Sequence, residues 1–159
     1  MGFALSTLQL TSPAFASGGP IPAKHTGEGA DVSPALSWTG APAGTRAFAV
    51  ICHDPDAPLI SPRGVYGFVH WVLYNIPSSV NQLAEGVKEY TAGRNDFGKT
   101  GYGGPMPPNG HGKHQYYFWV LALNDAAPLD SGLTLWDLLA RIEPRVIGMN
   151  RLVGTYERA

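Results

Sequence analysis

Arg46-Ala47-Phe48-Ala49-Val50-Ile51-Cys52-His53-Asp54-Pro55-Asp56-Ala57-Pro58 runs from a nearly unbroken apolar segment straight into a rigid turn. A short apolar run of this kind, rich in β-branched and aromatic residues, reads as a strand covered on both faces. Two prolines then fix two φ angles within five residues. The turn is therefore stiff, which suits the wall of a pocket better than a mobile loop tip. Working outward, the same pattern recurs at Phe68–Ile76 and Tyr116–Asn124. Weaker candidates are Phe3–Thr11, Ala35–Trp38 and Arg151–Glu157. Turn residues separate them at Gly40-Ala41-Pro42, Ser61-Pro62-Arg63-Gly64 and Pro77-Ser78-Ser79.

One helix is expected late in the chain. Thr134 caps it, Asp137 follows at its third position, and Leu135, Leu138, Leu139 and Ile142 fall on one face. Pro144 ends this helix or opens a second short one reaching Gly148. The coarse picture is one β-rich domain over residues 1–159 with one or two helices near the C-terminus. Charged residues make up 14% of the chain, and 20 glycines and 14 prolines take their place. These punctuate apolar segments and so mark turns, not disorder.

The net charge of −1 comes with scattered lysines and arginines. Nucleic acid is excluded as a partner, since binding phosphate backbones needs clustered cations. No run approaches the ~20 apolar residues of a membrane span. Ala14-Phe15-Ala16-Ser17 looks like a cleavage site, but residues 1–13 carry neither a basic start nor a continuous apolar core. A soluble, cytoplasmic protein is expected. Cys52, mid-strand and single, reads as an inert core thiol.

The chemistry gathers at strand ends. Asp54 closes one strand, His70 lies within a second, and His114 opens a third on the same face as Tyr116 and Phe118. By alternation His70 shares a face with Phe68, Val72 and Tyr74, and His53 opposes Asp54. Gly101-Tyr102-Gly103-Gly104-Pro105-Met106-Pro107-Pro108 is not a P-loop, since no Gly-Lys-Ser/Thr ending follows. Its glycines can still bring backbone N–H groups to an anion. The long stretch Glu85–His114 has weak periodicity, and so long a loop in a compact domain is usually functional. Two carboxylates, two imidazoles and free loop N–H groups at one sheet rim read as a small anion pocket.

Plainer readings compete. Aspartate before proline is often only a turn former, and a histidine inside an apolar strand is often only a satisfied core residue. His25 and His111 lie in polar segments and read as surface. Ser33 and Ser61 have no visible base, and no Gly-x-Ser-x-Gly motif exists. A zinc site on His70, His114 and the aspartates lacks a tight ligand pair. Asp54 and Asp56 are too close in sequence for a glycosidase pair. No cofactor, metal or catalytic residue is therefore expected.

Asp54-Pro55-Asp56-Ala57-Pro58, His70-Trp71 and Gly104-Pro105 through His114-Gln115-Tyr116 resemble the two signature regions of the phosphatidylethanolamine-binding proteins. Asp31 to Trp38 and the ending Leu152 to Arg158 resemble them too. The chain is similar in particular to the bacterial Raf kinase inhibitor-like branch. The resemblance implies a mainly β, sandwich-like fold with a large central sheet and C-terminal helices. It also implies a pocket for phosphate, phosphoethanolamine or carboxylate groups, lined by Asp54, His70, Gly104, His114 and Tyr116 and shaped by Asp56, Pro58 and Pro108. A cis peptide at Ala57-Pro58 is implied as well. Gln115 stands where the family usually has arginine, and Met106 where bacterial relatives often have cysteine. The expected function is non-enzymatic binding of a small anionic ligand. Three alternatives stay open: an enzyme using the same pocket, a kinase or protease inhibitor acting through surface loops, and pairing as a homodimer.

Overall fold

The computed structural model describes residues 3–62 and 64–159, without the side chains of residues 61, 64 and 65. Strands run over Gln9–Thr11 (β1), Leu36–Thr39 (β2), Ala47–Asp54 (β3), Ile60–Ser61 (β4), Gly64–Val65 (β5), Phe68–Pro77 (β6), Gln82–Leu83 (β7), Thr91–Ala92 (β8), His114–Leu123 (β9) and Val146–Tyr156 (β10). The α-helix is Leu135–Ile142 (α1), and 3₁₀ turns lie at Ala23–His25 and Glu143–Arg145. Among the described residues, the large antiparallel sheet has the order β10-β9-β3-β6-β8, and β1-β2-β7 form a second sheet.

Why the middle strands are apolar throughout is now plain. Val50 and Cys52 of β3, with Tyr116, Phe118 and Val120 of β9, face Leu10, Leu36 and Trp38 of the second sheet. The alternate residues Ala49, Ile51 and Leu121 face Leu135, Leu138 and Ile142 on α1. Each strand thus buries both faces, one against a sheet and one against a helix. Cys52 lies in the first layer, fully buried, and burial pushes its thiol well above the ordinary range. The helix starts where its cap says it should: the Thr134 hydroxyl accepts from the Asp137 N–H at 3.2 Å.

Several boundaries depart from expectation. Of Phe3–Thr11 only Gln9–Thr11 is strand; Leu8 is buried in the core, but residues 3–7 are mostly exposed, with only Leu5 bridging Gly148. The helical turn after Pro144 stops at Arg145, and β10 begins at Val146 rather than Arg151. Pairing along nearly all of β9 holds that early start despite an irregularity at Val146/Gly148. In the turn from Ser61 to Gly64, Arg63 lies outside the described residues.

Strand β6 holds the feature that matters most. Cys52 pairs with Trp71, and the next residue, His53, pairs with Val69. His70 is thus an extra residue opposite no partner, a β-bulge. A second irregularity falls between Phe48 and Val50, where Asn75 adopts a left-handed φ of 56°.

Candidate functional site

The bulge overturns plain alternation. His70 does not share the helix-side layer with Val72 and Tyr74. It turns to the other side of the sheet, where Tyr116 and His114 stand, with its ring 5.2 Å from that of Tyr116. The bulge re-aims one side chain without disturbing the apolar layers on either side of it. Asp54, at the other end of the same irregularity, faces the site, while His53 faces the helix side with Ile51 and Trp119.

The meeting point is a cavity of about 340 Å³. Asp54, His70, His114 and Tyr116 supply its polar groups. Its walls are apolar: Leu59, Phe68, Phe97, Met106, Pro107 and Pro108, with Ala57 and Pro58 at the turn. Leu59, Phe68 and Phe97 carried no sequence signal for a site. Phe97 sits in the long loop, where nothing marks which of its side chains turns inward.

Asp54 uses both carboxylate oxygens. Oδ1 accepts the Asp56 N–H at 2.8 Å, which is the turn-forming role. Oδ2 accepts from His114 Nδ1 at 2.7 Å, with Asp54 and His114 both about 3% exposed or less. The plain reading and the functional one both hold for the same side chain. Asp56 does not line the cavity. Its Oδ2 accepts the Gln115 N–H at 2.7 Å and so ties the turn to the start of β9. The Gln115 side chain, where an arginine was expected, turns outward to accept from the Tyr117 hydroxyl.

His70 donates from Nδ1 to the Gly103 carbonyl at 2.7 Å, while the Gly103 N–H returns to the His70 carbonyl at 2.9 Å. Burial, opposed by that carbonyl and by Asp54, holds the His70 imidazole below its ordinary range. The Tyr116 hydroxyl is buried with no protein partner among the described residues. Burial raises its phenol well above the ordinary value, so it remains an O–H donor.

The glycine segment acts differently from expectation. The N–H groups of its three glycines are not free for an anion. Gly101 donates to the Gly93 carbonyl at 3.0 Å, Gly103 to His70, and Gly104 to Asp31 Oδ1 at 2.7 Å. Gly104 stands outside the cavity wall, packed on the turn Ala23–His25, where a Cβ would lie 2.2 Å from the His25 carbonyl oxygen. The loop shapes the site by holding His70 rather than by offering donors.

One surface assignment and one peptide bond also change. His25 is 1% exposed; Nδ1 donates to the Val32 carbonyl at 2.8 Å, and the Tyr102 hydroxyl caps its own carbonyl at 2.6 Å. His111 is exposed, as expected, but its Nδ1 lies 2.8 Å from His114 Nε2. Among the described residues no peptide bond is cis, Ala57-Pro58 included. The turn is made instead by the Asp54 side chain and by the Leu59 N–H donating to the Ala57 carbonyl at 2.8 Å.

A pH effect on stability follows from His70. An unfolded histidine titrates near ~6.5. The folded His70 titrates lower, so the unfolded chain binds the extra proton first. Its contribution is therefore fully present above about pH 6.5 and is lost as pH falls below that. The melting temperature should drop between pH 7.5 and pH 5. His70→Asn, whose amide can keep the bond to Gly103, should show a shallower drop, and an identical slope would refute the assignment.

A family model described as phosphatidylethanolamine-binding protein matches residues 11–157. A UPF0098 protein of Aquifex aeolicus is 37% identical, over 95% of this chain and 89% of its own. A crystal structure of a phosphatidylethanolamine-binding-protein homologue from Chlamydia trachomatis superposes with a TM-score of 0.87 at 36% identity, covering 97% of this chain and 99% of that one. E. coli YbcL, described as a member of the mammalian family, gives 0.87 at 33% identity, covering 97% and 100%. No described helix is long and apolar enough to cross a membrane. From the match along nearly its whole length and the shared fold, the chain belongs to the phosphatidylethanolamine-binding protein family.

Proposed function

We propose that this chain is a non-enzymatic binding protein whose pocket takes a small ligand with an oxyanion head, either a phosphate, a phosphoethanolamine or a carboxylate. The observation that carries this reading is the Tyr116 hydroxyl, a buried donor with no protein acceptor among the described residues, on a side chain that lines the cavity together with His70. A buried polar group left unpaired is costly, and an oxyanion would satisfy it. The apolar walls of Leu59, Phe68, Phe97 and Met106 suit a short carbon substituent behind the head group.

The electrostatics limit how such an anion binds. Among the described residues no lysine or arginine lines the cavity, and the Asp54 carboxylate lies close by. With Nδ1–H committed to Gly103, the His70 ring offers Nε2 as a donor only when it is an imidazolium. Ligand and proton should therefore enter together. Affinity for acetate should rise as pH falls through neutrality and level off below the low pKa of the free His70. Acid thus weakens the fold but strengthens binding. Calorimetry from pH 5.5 to 8 tests this, and binding flat in pH would sink the imidazolium role.

Against turnover stands the aim of the Asp54–His114 pair. Its outer nitrogen meets another imidazole, not a serine, threonine or cysteine hydroxyl or thiol. Ser33 is buried away from the cavity, and the side chain of Ser61 lies outside the described residues.

Tyr116→Phe separates this reading from a structural one. Removing a donor to an anion should weaken phosphate or acetate binding roughly 10- to 100-fold. The same change removes an unpaired buried hydroxyl, so the melting temperature should stay level or rise. A loss of stability with unchanged affinity would overturn the proposal.

A further inference from the structure

We propose that His111 is an internal occupant of this site: a latch that holds His114 Nε2 and must let go before a ligand oxygen can reach that nitrogen. The inference rests on reading the cavity as a ligand site. Asp54 fixes His114 with Nδ1 as the donor, so the chemistry His114 can offer outward resides in Nε2. That nitrogen is engaged by His111 Nδ1 at 2.8 Å. His111 is carried on the segment from Pro107 to Lys113, whose two prolines line the cavity. Gly110 and Gly112 flank it at φ values of 70° and 84°, with nothing within 4 Å of where a Cβ would stand. Other ties on this segment are few and long: the Gly110 N–H to the Arg158 carbonyl at 3.3 Å, the Arg158 guanidinium to the Pro107 carbonyl at 3.3 Å, and the His111 N–H to the Pro108 carbonyl at 3.1 Å.

The latch has a built-in switch. One proton can lie between the two facing nitrogens. With both rings neutral, His111 Nδ1–H donates to His114 Nε2; with one further proton, His114 Nε2–H donates to His111. When both rings are imidazolium, N–H faces N–H and the bond is lost. Release frees the Nε2–H of His114, a residue that lines the cavity, to donate to a ligand. The charged or titratable groups around the pair are Asp54 on β3, Asp56 in the following turn, His70 on β6, Tyr116 on β9 and Lys113 in the segment itself. On the β10 side stand Tyr156, which pairs with His114, and the Arg158–Glu28 ion pair at 3.4 Å.

The test uses the full chain with inorganic phosphate as the probe, together with amide hydrogen exchange at Gly110 and His111. His111→Ala should bind phosphate about three- to tenfold more tightly at pH 7.5, the worth of one net hydrogen bond no longer broken. In the free wild type, the protection of both amides relative to their intrinsic rate at each pH should be lower at pH 5.5 than at pH 7.5. Protection should be absent at both values in His111→Ala and retained at both in His111→Asn, whose amide can face either form of His114. Equal or weaker phosphate binding in His111→Ala overturns the latch and makes His111 a bystander or a ligand contact. If phosphate binds neither form, the ligand-site reading has failed and exchange alone decides. Protection lost in His111→Ala then supports the contact, and equal protection in both proteins overturns it.

Discussion

Asp54→Ala is expected to lower the melting temperature by about 6–12 °C. The carboxylate is buried, bonded through one oxygen to the Asp56 N–H and through the other to His114. Removing one partner of a buried pair strands the other and typically costs about 3 kcal/mol or more. For a domain of this size each kcal/mol is about 2–4 °C. Asp54→Asn should cost less, since its amide oxygen can still accept from Asp56. Its amide nitrogen, however, opposes the His114 Nδ1–H and drives the ring to the other tautomer, with the proton on Nε2. Nitrogen shifts of the two imidazoles would show that exchange directly. A melting temperature within 2 °C of wild type for the alanine variant would mean that the pair contributes little to the fold.

Gly104→Ala should be comparably damaging for a steric reason. A Cβ there would lie 2.2 Å from the His25 carbonyl oxygen, 2.7 Å from Asp31 Oδ1 and 2.8 Å from Thr26 Cα. Two of these are backbone atoms, and the third already accepts the Gly104 N–H. The segment must move, and it carries the Gly103 carbonyl away from His70 as it does so. A loss of roughly 3 kcal/mol or more is expected, with weaker anion binding besides. Gly132→Ala is the control. Its φ of 73° is left-handed but its surroundings are open, so only about 1–2 kcal/mol of backbone strain applies. If the Gly104 variant melts no lower than the Gly132 variant, close packing is not what the glycine provides.

Much of this molecule was legible in its sequence because apolar runs and cap residues act locally. The doubly buried strands and the helix from Thr134 follow from residue patterns, whereas Asp54, His70, His114 and Tyr116, which line one cavity, were brought together by the family resemblance. What was not legible depends on contacts distant in the chain. Alternation assigns His70 to the helix side of the sheet, and nothing in Phe68–Ile76 announces the extra residue that turns it round. The glycine segment suggested free donors, but whether an N–H is free depends on what lies opposite, and here Asp31 and Gly93 lie opposite. His25 looked solvated because its neighbours are polar; burial came from the Tyr102–Gly104 segment nearly eighty residues on. Asp56 carried the right chemistry for a ligand contact but is used to anchor Gln115.

The unpartnered position of His70 makes the pocket's chemistry separable from the architecture that houses it. Remove that one residue, and Val69 would be followed directly by Trp71, so the two would point to opposite layers, as they already do. The two apolar layers would keep their alternation, while the cavity would lose an imidazole and Gly103 its two bonds to His70. A chain of this kind can gain or shed its reactive group through a change in length of a single codon, with every core residue left in its seat. A variant shortened at this position is accordingly a useful control for any binding experiment: it should keep the alternation of both core layers while presenting one histidine fewer to the cavity.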